Sequence, residues 1–88
     1  MTQTTTEDRG DRLKISVSGR FDAAGAKVVA DALEYALNTG RHAVELDMGG
    51  VGYISSAGMR VLIIYHRKFA QLKGVFYLTS VDGKVGRT

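Results

Sequence analysis

The sequence predicts a small α/β domain, and three observations carry that reading. Apolar and polar residues alternate with a period of two at residues 13–17 and again at 42–48; a helical stripe of apolar residues follows each run; and a β-branched and aromatic segment, Val75–Thr79, comes after the second stripe. Strand, helix, strand, helix, strand is an order that right-handed crossovers turn into parallel strands with both helices on one face. Eighty-eight residues make one domain. A chain of that size buries only roughly 60–65% of its unfolded surface, which leaves little room for an internal catalytic cavity.

Residues 1–11 are polar and rich in threonine, and read either as a flexible end or as a weak first strand paired through a turn at Arg9-Gly10. The core of the domain is expected at 12–79, with a tail at 80–88. In the first clear strand Leu13, Ile15 and Val17 alternate with Lys14, Ser16 and Ser18, and Gly19 is expected to end it. Asp22 is placed to cap the helix that follows, because its carboxylate can accept from backbone N–H groups one turn ahead. Along Ala23–Asn38, Val29, Leu33 and Leu37 recur at every fourth position with Ala26 and Ala36 beside them, while Lys27, Asp31, Glu34 and Tyr35 face away. Gly40 can take the left-handed conformation that ends many helices. Val44 and Leu46 alternate with Glu45 and Asp47 in the next strand, and residues 49–54, with three glycines, read as a loop needing positive φ. A second helix is expected at 57–72, with Val61, Leu62, Tyr65, Phe69 and Leu72 inward and Arg60, Lys68 and Gln71 outward, until Gly74 breaks it. Val75–Thr79 suits a largely buried strand.

Composition narrows the function. With 44% hydrophobic and 24% charged residues the chain is an ordinary folded protein. The absence of cysteine excludes disulfides, thiolate catalysis and thiolate metal sites. No apolar run approaches the ~20 residues of a membrane span, and the N-terminus lacks the apolar core of a secretory signal, so a cytoplasmic protein with no membrane insertion is expected. The charge of +3 is uneven: up to Asp47 there are six Lys/Arg against eight Asp/Glu, and from Met48 on six against Asp82 alone. Nucleic acid is not the expected partner, because Arg60, Arg67, Lys68 and Lys73 are strung along a helix with no aromatic platform or reader motif among them.

Catalytic candidates are few. His42 and His66 stand in no metal-ligand spacing, and Asp31 and Glu34 read as a solvated helix face. Gly49-Gly50-Val51-Gly52 lacks the Lys-Ser/Thr of a phosphate-binding loop. No catalytic, cofactor or metal residue is assigned, and the chain is not expected to be an enzyme. The segment after the glycines is more informative. Ser55 and Ser56 stand where a loop becomes a helix, at the point where backbone N–H groups have no partner within the helix. One serine can cap; a second, exposed, could carry a phosphate of about −1.5 to −2 charge that the helix start tolerates and a partner pressed on the same spot does not.

From Asp47 to Leu62, Asp-Met-Gly-Gly-Val-Gly-Tyr-Ile-Ser-Ser-Ala-Gly-Met-Arg-Val-Leu resembles the central signature of STAS domains. Ser18-Gly19-Arg20-Phe21-Asp22 resembles the same family's step into its first helix, in the right order upstream. The resemblance covers residues 13–79. It implies a mixed sheet with helices packed on one face and, in bacterial members, the role of an anti-sigma factor antagonist. Such a domain binds an anti-sigma factor that is also a serine protein kinase, frees a sigma factor, and is released when phosphorylated; a serine phosphatase reverses the cycle. Carried over by position, the acceptor is Ser56, with Ser55 as the alternative because it replaces the family's usual aspartate. The partner-binding surface is Asp22, Tyr53, Ser55, Ser56, Ala57, Gly58, Met59 and Arg60. The family's C-terminal helix has no counterpart here, which leads to the expectation of either a homodimer or a piece of a longer protein. The alternative within the family is a regulatory subunit or domain of a transporter or lipid-trafficking complex, without a phosphorylation cycle. Outside it stands a small-ligand site at the glycine segment.

Overall fold

A computed structural model describes residues 2–80; the expected tail beyond Ser80 and the expected absence of a C-terminal helix lie outside the described residues. Four strands and two helices follow in the order β1 (Gln3–Asp8), β2 (Leu13–Phe21), α1 (Ala23–Asn38), β3 (Ala43–Ile54), α2 (Ser56–Gln71) and β4 (Val75–Thr79). The sheet runs β1-β2-β3-β4, with β1 antiparallel to β2 and the other pairs parallel. Of the two readings of the N-terminus, the strand is the one adopted. Gln3 to Asp8 pairs with Ser18 to Leu13, and Gly10 turns the chain at φ +84°.

The core lies between the sheet and the helices. Ile15, Val17 and Phe21 of β2, Val44, Leu46 and Met48 of β3, Val29, Leu33 and Ala36 of α1 and Phe69 of α2 are almost wholly buried. α1 buries Gly25, Ala26, Val29, Leu33 and Ala36, and α2 buries Leu62, Tyr65 and Phe69, the last stacked on Phe76 at 5.4 Å between ring centroids. No helix among the described residues is long and apolar enough to cross a membrane.

Four local expectations change. Residues 49–54 are not a loop: β3 continues to Ile54, and Gly49, Gly50 and Gly52 have no positive φ. Two register shifts hide the strand from pattern reading. Ser16 to Ser18 spans Asp47 to Gly50, and Gly19 to Arg20 spans Val51 to Tyr53, so β3 carries an extra residue at each shift. The core-facing side chains of this stretch are consequently Met48, Val51 and Ile54, a spacing of three that is neither strand nor helix. Gly50 is required by closeness, since a Cβ there would lie 2.7 Å from that of Ser18 and 3.1 Å from the Val17 carbonyl oxygen. Gly19, at φ +94°, lies inside β2 instead of ending it.

The second helix begins at Ser56, one residue early, and ends with Leu72 as an exposed C-cap instead of an inward residue. Lys73, and not Gly74, takes the left-handed conformation (φ +58°), while the Gly74 N–H donates to the Phe69 carbonyl at 2.7 Å. Finally, among the described residues β4 has a sheet neighbour on one side only. Phe76 is buried, but Val75, Tyr77 and Leu78 are exposed.

Candidate functional site

Phe21 and Ile54 are paired across β2 and β3, and each strand passes directly into a helix beyond that pair. Two helix N-termini therefore start side by side. Asp22 caps α1 by accepting from the Gly25 N–H at 2.9 Å, as expected from the sequence. Ser55 caps α2 by accepting from the Gly58 N–H at 3.1 Å.

Ser55 does more than cap. Its own N–H donates to the Phe21 carbonyl at 2.9 Å, and its hydroxyl donates to the same oxygen at 3.0 Å. Both the donor and an acceptor lone pair of the hydroxyl are engaged in holding the two junctions together. Ser56 is the contrasting neighbour. It occupies the first position of α2, its residue is exposed, and its hydroxyl has no hydrogen-bond partner among the described residues. The Met59 N–H is the first to be satisfied within the helix, by the Ser55 carbonyl at 3.0 Å. The N–H groups of Ser56 and Ala57 have no hydrogen-bond partner among the described residues, and α2 has no acidic residue in its first turn.

The other sequence-predicted residues take different positions. Tyr53 is exposed on the sheet face away from the helices, and the Arg20 guanidinium lies 4.4 Å from its ring centroid. Ala57 and Met59 are half-buried against the core, and Arg60 is exposed one turn beyond Ser56. Gly58 lies beneath the surface: an added Cβ would sit 2.6 Å from Phe21 Cδ1 and 3.0 Å from Ile54 Cγ1, so this position packs the helix onto the strands and offers no side chain to a partner. Residues that sequence reasoning passed over complete the surface. A shallow hollow runs along α2 from Ser56 past Met59 and Arg60 to Ile63, Ile64 and Arg67. Its signal in the sequence was the pair Ile63-Ile64 directly after the inward Leu62. Among the described residues, no group of three or more His, Cys, Asp or Glu side chains is arranged to hold a metal ion.

With this geometry in place, comparison with known proteins gives the family. Residues 4–88 match the family described as "Mlab, STAS domain". A Bordetella bronchiseptica protein, BtrV, that carries the name of an anti-sigma factor antagonist is 32% identical over 81 residues, which are 91% of this chain and 70% of that protein. The chain belongs to the STAS domain family of anti-sigma factor antagonists. Its fold is that of solved members: an anti-sigma factor antagonist from Mycobacterium paratuberculosis superposes with a TM-score of 0.80 at 23% identity, over 89% of this chain and 66% of that one. The anti-sigma factor antagonist SpoIIAA superposes in its unphosphorylated form with a TM-score of 0.82 at 14% identity, over 97% of this chain and 76% of that one. In its phosphorylated form, described as a Bacillus cell fate determinant, the TM-score is 0.80 at 13% identity, over 97% and 78%. This STAS domain thus spans about two thirds to three quarters of those chains.

Proposed function

We propose that this STAS domain antagonises an anti-sigma factor by partner switching, with Ser56 as its phosphorylated residue. Unmodified, it binds an anti-sigma factor that is also a serine protein kinase and so releases a sigma factor. In the modification step Ser56 Oγ attacks the γ-phosphorus of ATP, the bond to the β,γ-bridging oxygen breaks, ADP leaves, and the hydroxyl proton passes to a base of the kinase. A serine phosphatase restores the hydroxyl with water and releases inorganic phosphate. The site of action is the cytoplasm, and the domain itself is a binding module, not a catalyst.

The observation that carries this reading is the division of labour between two adjacent serines. Ser55 is committed on both sides of its hydroxyl, to Gly58 and to Phe21, so modifying it would break the cap and the junction. Ser56 is exposed and uncommitted at a helix start whose first two N–H groups have no partner among the described residues, where a doubly charged phosphate is tolerated. A protein docked over the same helix start would lose a hydroxyl contact and meet new negative charge. The relative BtrV bears the antagonist name, and the neighbour SpoIIAA is known in unphosphorylated and phosphorylated forms.

The test is incubation of the full chain with the anti-sigma serine kinases of the same genome and ATP, followed by mass spectrometry. One phosphate on Ser56, absent in Ser56→Ala, and loss of the kinase complex on phosphorylation are expected. Modification of Ser55 instead, or a complex indifferent to Ser56→Asp, overturns the proposal.

A further inference from the structure

We infer that the outward face of α2 is a docking surface for an acidic, amphipathic segment of a partner protein, seated on Met59, Ile63 and Ile64 between Arg60 and Arg67. The inference deepens the reading of Ser56 as a partner contact and rests on it for the role of that residue. It names the chemistry of what lies against the helix.

The apolar part of the surface is not a by-product of core packing. Leu62, Tyr65 and Phe69 carry the inward stripe, and Ile63 and Ile64, immediately after Leu62, are turned out of it and stand 52% and 42% exposed. β-branched isoleucine gains little at an exposed helix position, where straight-chain polar residues hold the helix better. Met59, half-buried, extends the same strip toward Ser56. The charge is one-sided. From Ser56 to Gln71 the helix carries Arg60, Arg67 and Lys68 and no Asp or Glu. Lys68 is spent on Glu34 at 3.1 Å, whereas among the described residues no carboxylate lies against Arg60 or Arg67.

Those two guanidiniums are seven residues apart, which is about 10.5 Å along a helix axis, and they bracket the isoleucines. The complementary object is a helix of similar pitch with leucine-like residues at i, i+3 and i+7 and carboxylates about two turns apart on either side. Ser56 lies at the N-terminal end of the hollow, four residues from Arg60. Negative charge at Ser56 is therefore within i,i+4 reach of the same guanidinium that the partner's carboxylate needs. Phosphorylation competes for Arg60 from inside the chain as well as repelling the acidic partner.

The experiment is amide NMR of the labelled full chain titrated with three probes: a synthetic helical peptide bearing a leucine stripe flanked by glutamates, the same peptide with lysines for glutamates, and phosphatidylserine vesicles. Shifts at Met59, Arg60, Ile63, Ile64 and Arg67 with the glutamate peptide alone are expected. Affinity should fall about tenfold or more in the double variant Arg60→Gln/Arg67→Gln, in Ile63→Ser and in Ser56→Asp, with thermal unfolding showing each variant folded. No shift up to millimolar glutamate peptide, shifts on another face, equal response to both peptides, or binding of vesicles alone overturns the inference. A chain that seats the glutamate peptide on α2 yet is modified by no serine kinase counts against the phosphorylation reading and not against this surface; the opposite pair of results removes the surface and leaves Ser56.

Discussion

The carbonyl oxygen of Phe21 accepts two hydrogen bonds from Ser55, one from its amide at 2.9 Å and one from its hydroxyl at 3.0 Å. A single oxygen at the end of β2 thereby fixes the start of α2, thirty-four residues later in the chain. The helix start that presents Ser56 is held in place by its neighbour, and this division predicts different behaviour for the two serines.

Ser55→Ala removes the α2 cap and one bond to Phe21, and is expected to lower unfolding stability by about 0.5–2 kcal/mol. Ser56→Ala should stay within about 0.5 kcal/mol of the parent. Urea denaturation of the two variants checks this, and equal losses would mean that Ser56 is also structural.

Gly58→Ala is expected to cost about 1–3 kcal/mol, an overpacking penalty. The new methyl meets the Phe21 ring at 2.6 Å and Ile54 Cγ1 at 3.0 Å, and both neighbours are themselves buried. The shift should be visible in the amide resonances of Ser55 and Ser56, because the helix start has to lift off the strand ends. An unchanged midpoint in urea would show that the junction is looser than its geometry.

These two positions also mark how far pattern reading reached. The helices and the parallel order of the strands were legible, since one-sided burial at regular spacing is what periodicity reports. The end of β3 was not. Its shifts against β2 move the buried residues to Met48, Val51 and Ile54, and glycine chosen for close approach, as at Gly50, looks in a sequence like glycine chosen for a turn. Likewise Lys73 adopts a positive φ where the glycine next to it was the natural choice, and β4 looked buried because composition does not say which of its side chains face solvent. The serine pair was found by type and place. Which of them is free required the partner of Ser55, Phe21, a contact no local spacing encodes.

Ser56→Asp places a carboxylate at the first position of a helix whose first turn has no acid. The charge should raise stability by about 0.3–1 kcal/mol at low ionic strength, and the gain should shrink with salt. Partner affinity is expected to move the opposite way. Thermal unfolding and a binding isotherm on the same sample separate the two effects, and a variant that loses stability and affinity together would indicate mere damage.

Asp8 and Arg41 form a two-point ion pair, at 2.8 and 3.0 Å, that ties the β1–β2 hairpin to the turn after α1. Arg41 first, and the Gly10 N–H second, hold the Asp8 carboxyl down at about 2 from an ordinary 3.8. Because the folded value is the lower one, the contribution is present above the unfolded value and is lost as pH falls through about 2. Arg41→Gln should return the carboxyl part of the way toward 3.8, as read by carbon NMR, with Gly10 retaining the remainder. A titration indistinguishable from the parent would place the pair in solvent without effect.

Between the helices the Tyr65 hydroxyl donates to Glu34 Oε1 at 2.8 Å, and Lys68 Nζ donates to the same oxygen at 3.1 Å. Burial first, and the bond to a carboxylate second, push the Tyr65 hydroxyl up to about 12 from 10.0. The folded state keeps the proton longer than the unfolded one, so the stabilisation is complete below the unfolded value and is lost as pH rises through about 12. Tyr65→Phe keeps the ring packing and removes the donor, at a cost of about 0.5–1.5 kcal/mol near neutrality, since water and Lys68 can still serve the half-exposed Glu34. Urea unfolding of both proteins over a pH series isolates this group by difference. The stability difference between them should be constant below 10.0 and shrink toward about 12. If it stays flat through that interval, the Tyr65 hydroxyl is not bound to Glu34 in solution and the two helices are held without it.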